Sequence, residues 1–248
     1  MDNEDIIIGR NAVIEALRTG VNIDKVFIAK GDTDSTLRHI ASTARDAGIV
    51  VSDADKRKLD SLCSGSDGRT HQGVVAVASY ANYVETADIL DIAKQRNEEP
   101  LIVICDEISD PHNLGAIIRT CEAAGAHGVI IPKRRSAGLT ATVAKASSGA
   151  VFNMAVARVA NITAAIKELK KAGVWIYGAQ PDGQAGLWET DLTGAVAYVV
   201  GSEGSGISRL VAENCDFMVQ IPMKGKLSSL NASVCASILL YEAVRQRK

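Results

Sequence analysis

The chain has no two cysteines at C-x-x-C spacing and no two histidines at H-x-x-x-H, and no apolar run approaches the roughly 20 residues of a membrane span. Its five cysteines (Cys63, Cys105, Cys121, Cys215, Cys235) are odd in number, far apart and mostly inside apolar runs. That argues against a disulfide framework and a zinc site, and leaves them as small core residues. The four histidines (His39, His71, His112, His127) are equally scattered, so no metal is expected. A basic leader is missing too. "MDNEDIIIGR" opens with acids, and with no membrane span the expectation is a soluble, cytoplasmic protein. An excess of positive charge is also absent: 27 Lys and Arg against 29 Asp and Glu leave a net charge of −2. The pI near 6.1 lies well below the value of about 9 typical of a nucleic-acid-binding domain. Local clusters at 56–58 (KRK), 133–135 (KRR) and 245–248 (RQRK) could each meet phosphate; the alternative is a solvated face or a helix C-terminus that favours cations. There is no internal repeat and no low-complexity tract.

What is present is a core. With 47% apolar residues over 248 positions, the chain can build one large domain or two modest ones. Two alternating α/β stretches are legible. In the first, "GRNAVIEALRTG" is a helix stopped by Gly20, "KVFIA" a strand, and "STLRHIASTARDAG" a helix ended by Gly48. "IVVSD", "ADKRKLDSLC", a flexible "SGSDGRTHQG" and a strand in "VVAVASY" follow. The pattern pauses in the polar segment after Tyr80. The division is therefore drawn as 1–79, a linker over 80–85, and 86–248.

In the second stretch, strands are read in "LIVICDE", "GVIIP", "VFNMAVARV", "VWIYGAQ", "AYVVGSE" and "FMVQIP", with helices such as "NITAAIKELKKAG" between them. Strands apolar on both faces and separated by helices imply a mostly parallel sheet covered by helices, whose ligands sit at the strands' carboxyl ends. Three such ends carry unusual loops. "DEISDPHN" lacks the G-x-G-x-x-G of a dinucleotide site. "GSEGSG" has Gly201, Gly204 and Gly206 for close backbone approach, but Glu203 would repel a phosphate, so a cationic or neutral ligand suits it better. "IPMKGKLSSLN" starts a long apolar helix for which Ser228 or Ser229 would be the cap. Asn231, one turn in, is then an odd choice for packing.

Taken together the three loops resemble the SpoU (TrmH) family of RNA ribose 2′-O-methyltransferases, within the SPOUT class. The first motif is similar to Asp110, Pro111, Asn113, Gly115 and Arg119, the second to Gly201, Glu203 and Gly204, and the third to Ile221, Pro222, Met223, Ser229, Leu230, Asn231 and Ser233. The first stretch, with "GRNAVIEAL" and "THQGVVA", resembles the small L30e-like α/β RNA substrate-binding domain that precedes the catalytic domain in the 23S rRNA guanosine methyltransferase (RlmB) branch.

The resemblance implies a catalytic SPOUT α/β domain with a deep trefoil knot, S-adenosylmethionine as cofactor, RNA as partner (23S rRNA first), and a homodimer built on the C-terminal helix from Ser229 to Arg245. It implies that Gly201, Ile221, Pro222, Met223 and Leu230 hold the cofactor, and that Asn113, Arg119, Glu203, Ser229 and Asn231 surround the reacting ribose. No metal or membrane is implied. For Arg119 the resemblance allows a base or an electrostatic clamp. A guanidinium with pKa above about 12 is rarely deprotonated, which favours the clamp. The alternative is a surface ion pair with Glu122. His112 is read as a solvated loop residue. Rival readings are a nucleotide-cofactor oxidoreductase, a tRNA ribose methyltransferase, and a non-catalytic L30e-like RNA-binding protein. The first fails on the glycine-free turn and on "GVIIPKRR", which ends in bases.

Overall fold

Short apolar runs and helical periodicities fold into two separate compact units in a computed structural model, which describes residues 6–31, 34–64 and 70–247. One unit comprises residues 1–82 with 138–142, the other 83–137 with 143–248. The acidic first five residues, the centre of the 64–73 loop and Lys248 lie outside the described residues.

The first unit runs β1 (Ile6–Ile8), α1 (Arg10–Thr19), β2 (Ile23–Ala29), α2 (Ser35–Asp46), β3 (Val50–Ala54), α3 (Lys56–Leu62) and β4 (Val74–Ala78). Its sheet has the order β1-β4-β2-β3; β4 is antiparallel to β1 and β2, and β3 is parallel to β2. Gly20 stops α1 in the left-handed region, at φ 72°. Asp34 caps α2 by accepting from the backbone N–H groups of Thr36 and Leu37. Val13, Val26, Leu37, Ile40 and Val74 are buried between sheet and helices. Strand β1 escapes sequence reading because three residues carry no periodicity.

The second unit begins with α4 (Thr86–Arg96), β5 (Leu101–Asp106), α5 (Pro111–Ala123), β6 (Gly128–Pro132), α6 (Ala141–Ala146, of which 143–146 belong to this unit), β7 (Val156–Val159) and α7 (Ile162–Lys171). It continues with β8 (Trp175–Ala179), β9 (Ala185–Gly186), β10 (Val196–Gly201), α8 (Arg209–Ala212), β11 (Phe217–Gln220) and α9 (Ala232–Gln246). The sheet order is β7-β6-β5-β10-β8-β11-β9 and every neighbouring pair is parallel. All six residues of β5 are buried, as an interior strand covered on both faces requires. Ile102, Ile104, Ile130 and Val199 pack with Ile89 of α4 and Ile166 of α7. On the opposite face, α5 lies on β5 and β6, and α9 lies on α5 and β10. Each such buried aliphatic side chain stabilises the fold by about 2 kcal/mol.

Two expectations are corrected. "VFNMAVARV" is not one strand: residues Ala150–Phe152 form a single 3-10 turn entered through Gly149 at φ 84°, and pairing begins only at Val156. The C-terminal helix starts at Ala232, three residues later than expected, and its cap is neither Ser228 nor Ser229 but Asn231. The physical reason is that the Asn231 side chain, not a serine, reaches the first free N–H groups, those of Ser233 and Val234.

Sheet building proceeds from β5 outward to β7, then jumps back to the other side of β5. The carboxyl ends on either side of that reversal, Asp106 of β5 and Gly201 of β10, are register partners. In open parallel sheets, ligands bind at such a switch point.

Candidate active site

The glycine-free turn after β5 is explained by capping. Asp110 accepts from the His112 N–H at 2.9 Å, and Pro111 occupies the first helical position, where its missing N–H costs nothing. This start aims α5 so that Asn113, 9% exposed, faces the sheet's carboxyl edge. Gly115, the next motif residue, is structural: a Cβ there would stand 2.5 Å from that of Ala146.

The loop after β10 folds back on itself. Gly206 N–H donates to the Ser202 carbonyl at 2.8 Å, and the hydroxyls of Ser202 and Ser205 are 2.7 Å apart. Gly201 has no room for a side chain, because a Cβ would meet the backbone of Gly206 and Ile207 at 2.1–2.2 Å. Gly206 has φ 65°, the left-handed region that glycine adopts without strain. The fold-back presents Glu203 at its tip.

Asn231 closes the arrangement. Its Oδ1 accepts from the N–H groups of Ser233 (2.9 Å) and Val234 (3.3 Å), which orients the amide so that Nδ2 points away from the helix. That Nδ2 donates to Asn113 Oδ1 at 2.9 Å and to Glu203 Oε1. Asn113 Nδ2 donates to the same Glu203 oxygen at 3.0 Å. Three of the sequence-predicted residues, 90 and 28 positions apart along the chain, thus form a closed ring.

Beside the ring lies a cavity of about 570 Å³, within the usual range for small-molecule sites. It is bounded by the loops after β8, β10 and β11 and by the first turn of α9. Gly201, Glu203, Ile221, Met223, Ser229 and Leu230 line it; Asn113, Pro222 and Asn231 do not. The only charged side chains among the lining residues are Asp182 and Glu203, both acidic. Arg119 is exposed on α5 and joins neither ring nor cavity, and among the described residues it forms no ion pair, Glu122 included.

Sequence reading missed Asp106 and Asp182. Asp106 is 4% exposed and its Oδ2 accepts from the Ser208 N–H at 2.7 Å. Its signal was an acid ending an otherwise apolar strand. Asp182 had only "QPDG", which reads as a turn. Of the cysteines, Cys105 and Cys121 are buried core residues, while Cys63, Cys215 and Cys235 are half-buried; burial pushes the Cys105 thiol up to about 12 and that of Cys235, at the cavity wall, to about 11. Among the described residues no group of three His, Cys, Asp or Glu side chains could hold a metal ion, and no helix is long and apolar enough to cross a membrane. Two basic clusters are partly committed elsewhere. Arg135 pairs with Glu107 at 3.0 Å, while Arg247 is tied to the carbonyls of Leu192, Glu99, Pro100 and Gly194.

An all-parallel sheet with a ligand cavity at the carboxyl ends of β8, β10 and β11 and an amide–carboxylate ring at its rim defines the class, and comparison with known proteins agrees. The sequence model described as the SpoU rRNA Methylase family matches residues 100–241, and that described as RNA 2′-O ribose methyltransferase substrate binding matches residues 6–84. The chain belongs to the SpoU methylase family. A relative named as a TrmH family tRNA/rRNA methyltransferase, YacO of Bacillus subtilis (strain 168), is 43% identical over 243 residues, covering 98% of this chain and 96% of its own. The SpoU methyltransferase AviRb from Streptomyces viridochromogenes, solved in complex with the cofactor AdoMet, superposes with a TM-score of 0.59. It is 27% identical, over 98% of this chain and 90% of that one. An AdoMet-bound rRNA methyltransferase from Sinorhizobium meliloti gives 0.60 at 26% identity, over 97% and 87%.

Proposed function

We propose that this chain transfers a methyl group from S-adenosylmethionine to a ribose 2′-hydroxyl of RNA, with a guanosine of 23S rRNA as the target. One observation carries the reading: a cavity whose only charged lining groups are two carboxylates, walled by a glycine fold-back with no space for a Cβ. Such a cavity disfavours a polyphosphate and suits a ligand bearing positive charge, as the sulfonium and ammonium of this cofactor do. Gly201, Ile221 and Leu230 hold the cofactor largely through backbone, Met223 adds to the same wall, and Pro222, outside the lining itself, restricts the backbone between Ile221 and Met223. The cofactor, when bound, supplies an electrophilic methyl group. The residues of the chain do the rest. The ring of Asn113, Glu203 and Asn231, with Ser229, orients the ribose; fixing the 2′-oxygen within about 3–3.5 Å of the reacting carbon supplies a large part of such a rate. Arg119 keeps its proton, clamps an RNA phosphate and stabilises the negative charge growing on the 2′-oxygen.

The first 79 residues serve as the RNA-reading domain and residues 86–248 as the catalytic one, with 80–85 between them. The catalytic fold carries the family's trefoil knot. The protein works in the cytoplasm as a homodimer; in support, Val234 and Tyr241 leave an apolar stripe exposed on α9, 46% and 51% accessible. A tRNA target is the second reading, favoured by the joint tRNA/rRNA name of the Bacillus subtilis relative. Titration calorimetry tests the core of the proposal: S-adenosylmethionine is expected to bind saturably at micromolar concentration while NAD does not compete. Absence of binding would overturn it.

A further inference from the structure

Asp106 ends β5 and contributes nothing to the amide–carboxylate ring or to the cavity wall. It is nevertheless 4% exposed, one of four polar or charged residues buried to this degree among those described, with Thr86, His127 and Ser147. A carboxylate is costly to bury unless it is hydrogen-bonded. Its partner is informative. Oδ2 accepts from the Ser208 N–H at 2.7 Å, a span of 102 residues in sequence. Ser208 is the residue at which the fold-back after β10 ends and α8 begins.

At the other end, the fold-back leaves the sheet at Gly201, the register partner of Asp106. The loop is therefore held twice by one strand end, through the β5–β10 ladder where it leaves and through the Asp106 carboxylate where it returns. Between the two anchors stand Glu203, the acceptor of both ring amides, and the residues 201–207 that wall the cavity. Asp106 also opens the loop that leads to α5, which carries Asn113 and Arg119. One side chain thus ties together the two segments that must meet for the ring to close.

We propose that Asp106 is a positioning residue for methyl transfer: by latching Ser208 it holds the fold-back in the shape that completes the cofactor cavity and brings Glu203 to Asn113 and Asn231. The proposal rests on the reading of the cavity as the S-adenosylmethionine site. It predicts that the latch, not the acid as such, is what counts, so removing either partner has the same consequence.

The test uses two routes to the same lost bond. Asp106→Ala removes the acceptor. Ser208→Pro removes the donor and leaves Asp106 in place, and the observed Ser208 backbone (φ −63°, ψ 146°) already suits proline. Each variant of the full chain is expected to weaken S-adenosylmethionine binding by about 10-fold or more, the usual loss for a hydrogen bond to a charged group. Each should lower kcat with little change in KM for RNA. The double variant should lose no more than the worse single one. Asp106→Asn, which keeps an acceptor oxygen, should recover most of the affinity. Hydrogen exchange of the amides in 202–207 reads the latch without any cofactor, and should speed up in both single variants. Ile166→Val, a core trim on α7, provides a variant of lowered Tm with normal affinity. If the latch variants match it, losing Tm but keeping wild-type affinity, kcat and exchange, the positioning role is overturned. If exchange speeds up as expected but the wild-type chain itself takes up no S-adenosylmethionine, it is the reading of the cavity that has failed, and the positioning role falls with it.

Discussion

The side-chain amide of Asn231 donates to the carboxylate of Glu203 while its carbonyl oxygen caps α9, so one residue both starts the C-terminal helix and fixes the acid of the loop after β10. The two duties separate by substitution. Asn231→Asp keeps a good cap but sets two carboxylates against each other, so methyl transfer should fall by on the order of 10²-fold with little loss of helix propensity. Asn231→Ala loses the cap as well, at about 1 kcal/mol. Adding Glu203→Gln to Asn231→Asp restores a donor–acceptor pair with its direction reversed, and partial recovery of turnover over either single variant, by labelled-methyl assay, checks the contact.

Arg119 tests the chemistry apart from the cofactor. Arg119→Ala should leave S-adenosylmethionine affinity nearly unchanged and cut methyl transfer by on the order of 10²-fold or more. Arg119→Lys recovers little if planar, bidentate geometry matters and much more if charge suffices. Near-normal turnover in the alanine variant at saturating RNA would remove Arg119 from the mechanism.

His127 gives a stability prediction with a definite sign. It is 2% exposed; Nδ1 accepts from the Leu101 N–H at 3.0 Å at the start of β5, and Nε2 faces Glu98 at 3.0 Å. Burial, with the nearby charges of Arg96 and Arg247, lowers its pKa below the ordinary histidine value against the opposing pull of Glu98. A lowered folded-state value means that the contribution is complete above the unfolded pKa of about 6.5 and is lost as pH falls, because the unfolded chain takes up the proton more readily. Tm should therefore drop between pH 7 and pH 5, by at most about 1.4 kcal/mol of stability per pH unit from this group. His127→Asn, which keeps an acceptor for Leu101 without titrating, should flatten that slope. An unchanged slope contradicts the assignment.

Much of this architecture is legible in sequence because parallel strands such as "LIVICD" are apolar on both faces and end in polar loops. What stays hidden depends on contacts distant in sequence. Asn231 looks misplaced until Asn113 and Glu203 are seen to meet it, and Asp106 looks like any acid at a strand end until Ser208 arrives from 102 residues away. The cap assignment fails for a local reason: two serines precede Asn231, and propensity alone cannot rank three good capping residues. The short strands β1 and β9, three and two residues long, exist only through their partners.

Methyl transfer to ribose is read from the position of the new methyl group. Total RNA from a strain lacking the gene, incubated with the purified chain and S-adenosylmethionine carrying a deuterated methyl, is digested to nucleosides and separated by mass spectrometry. Heavy label is expected in a 2′-O-methylnucleoside, 2′-O-methylguanosine from the 23S fraction first. Label in a base-methylated nucleoside, or none in any RNA while S-adenosylmethionine binds normally, would contradict it.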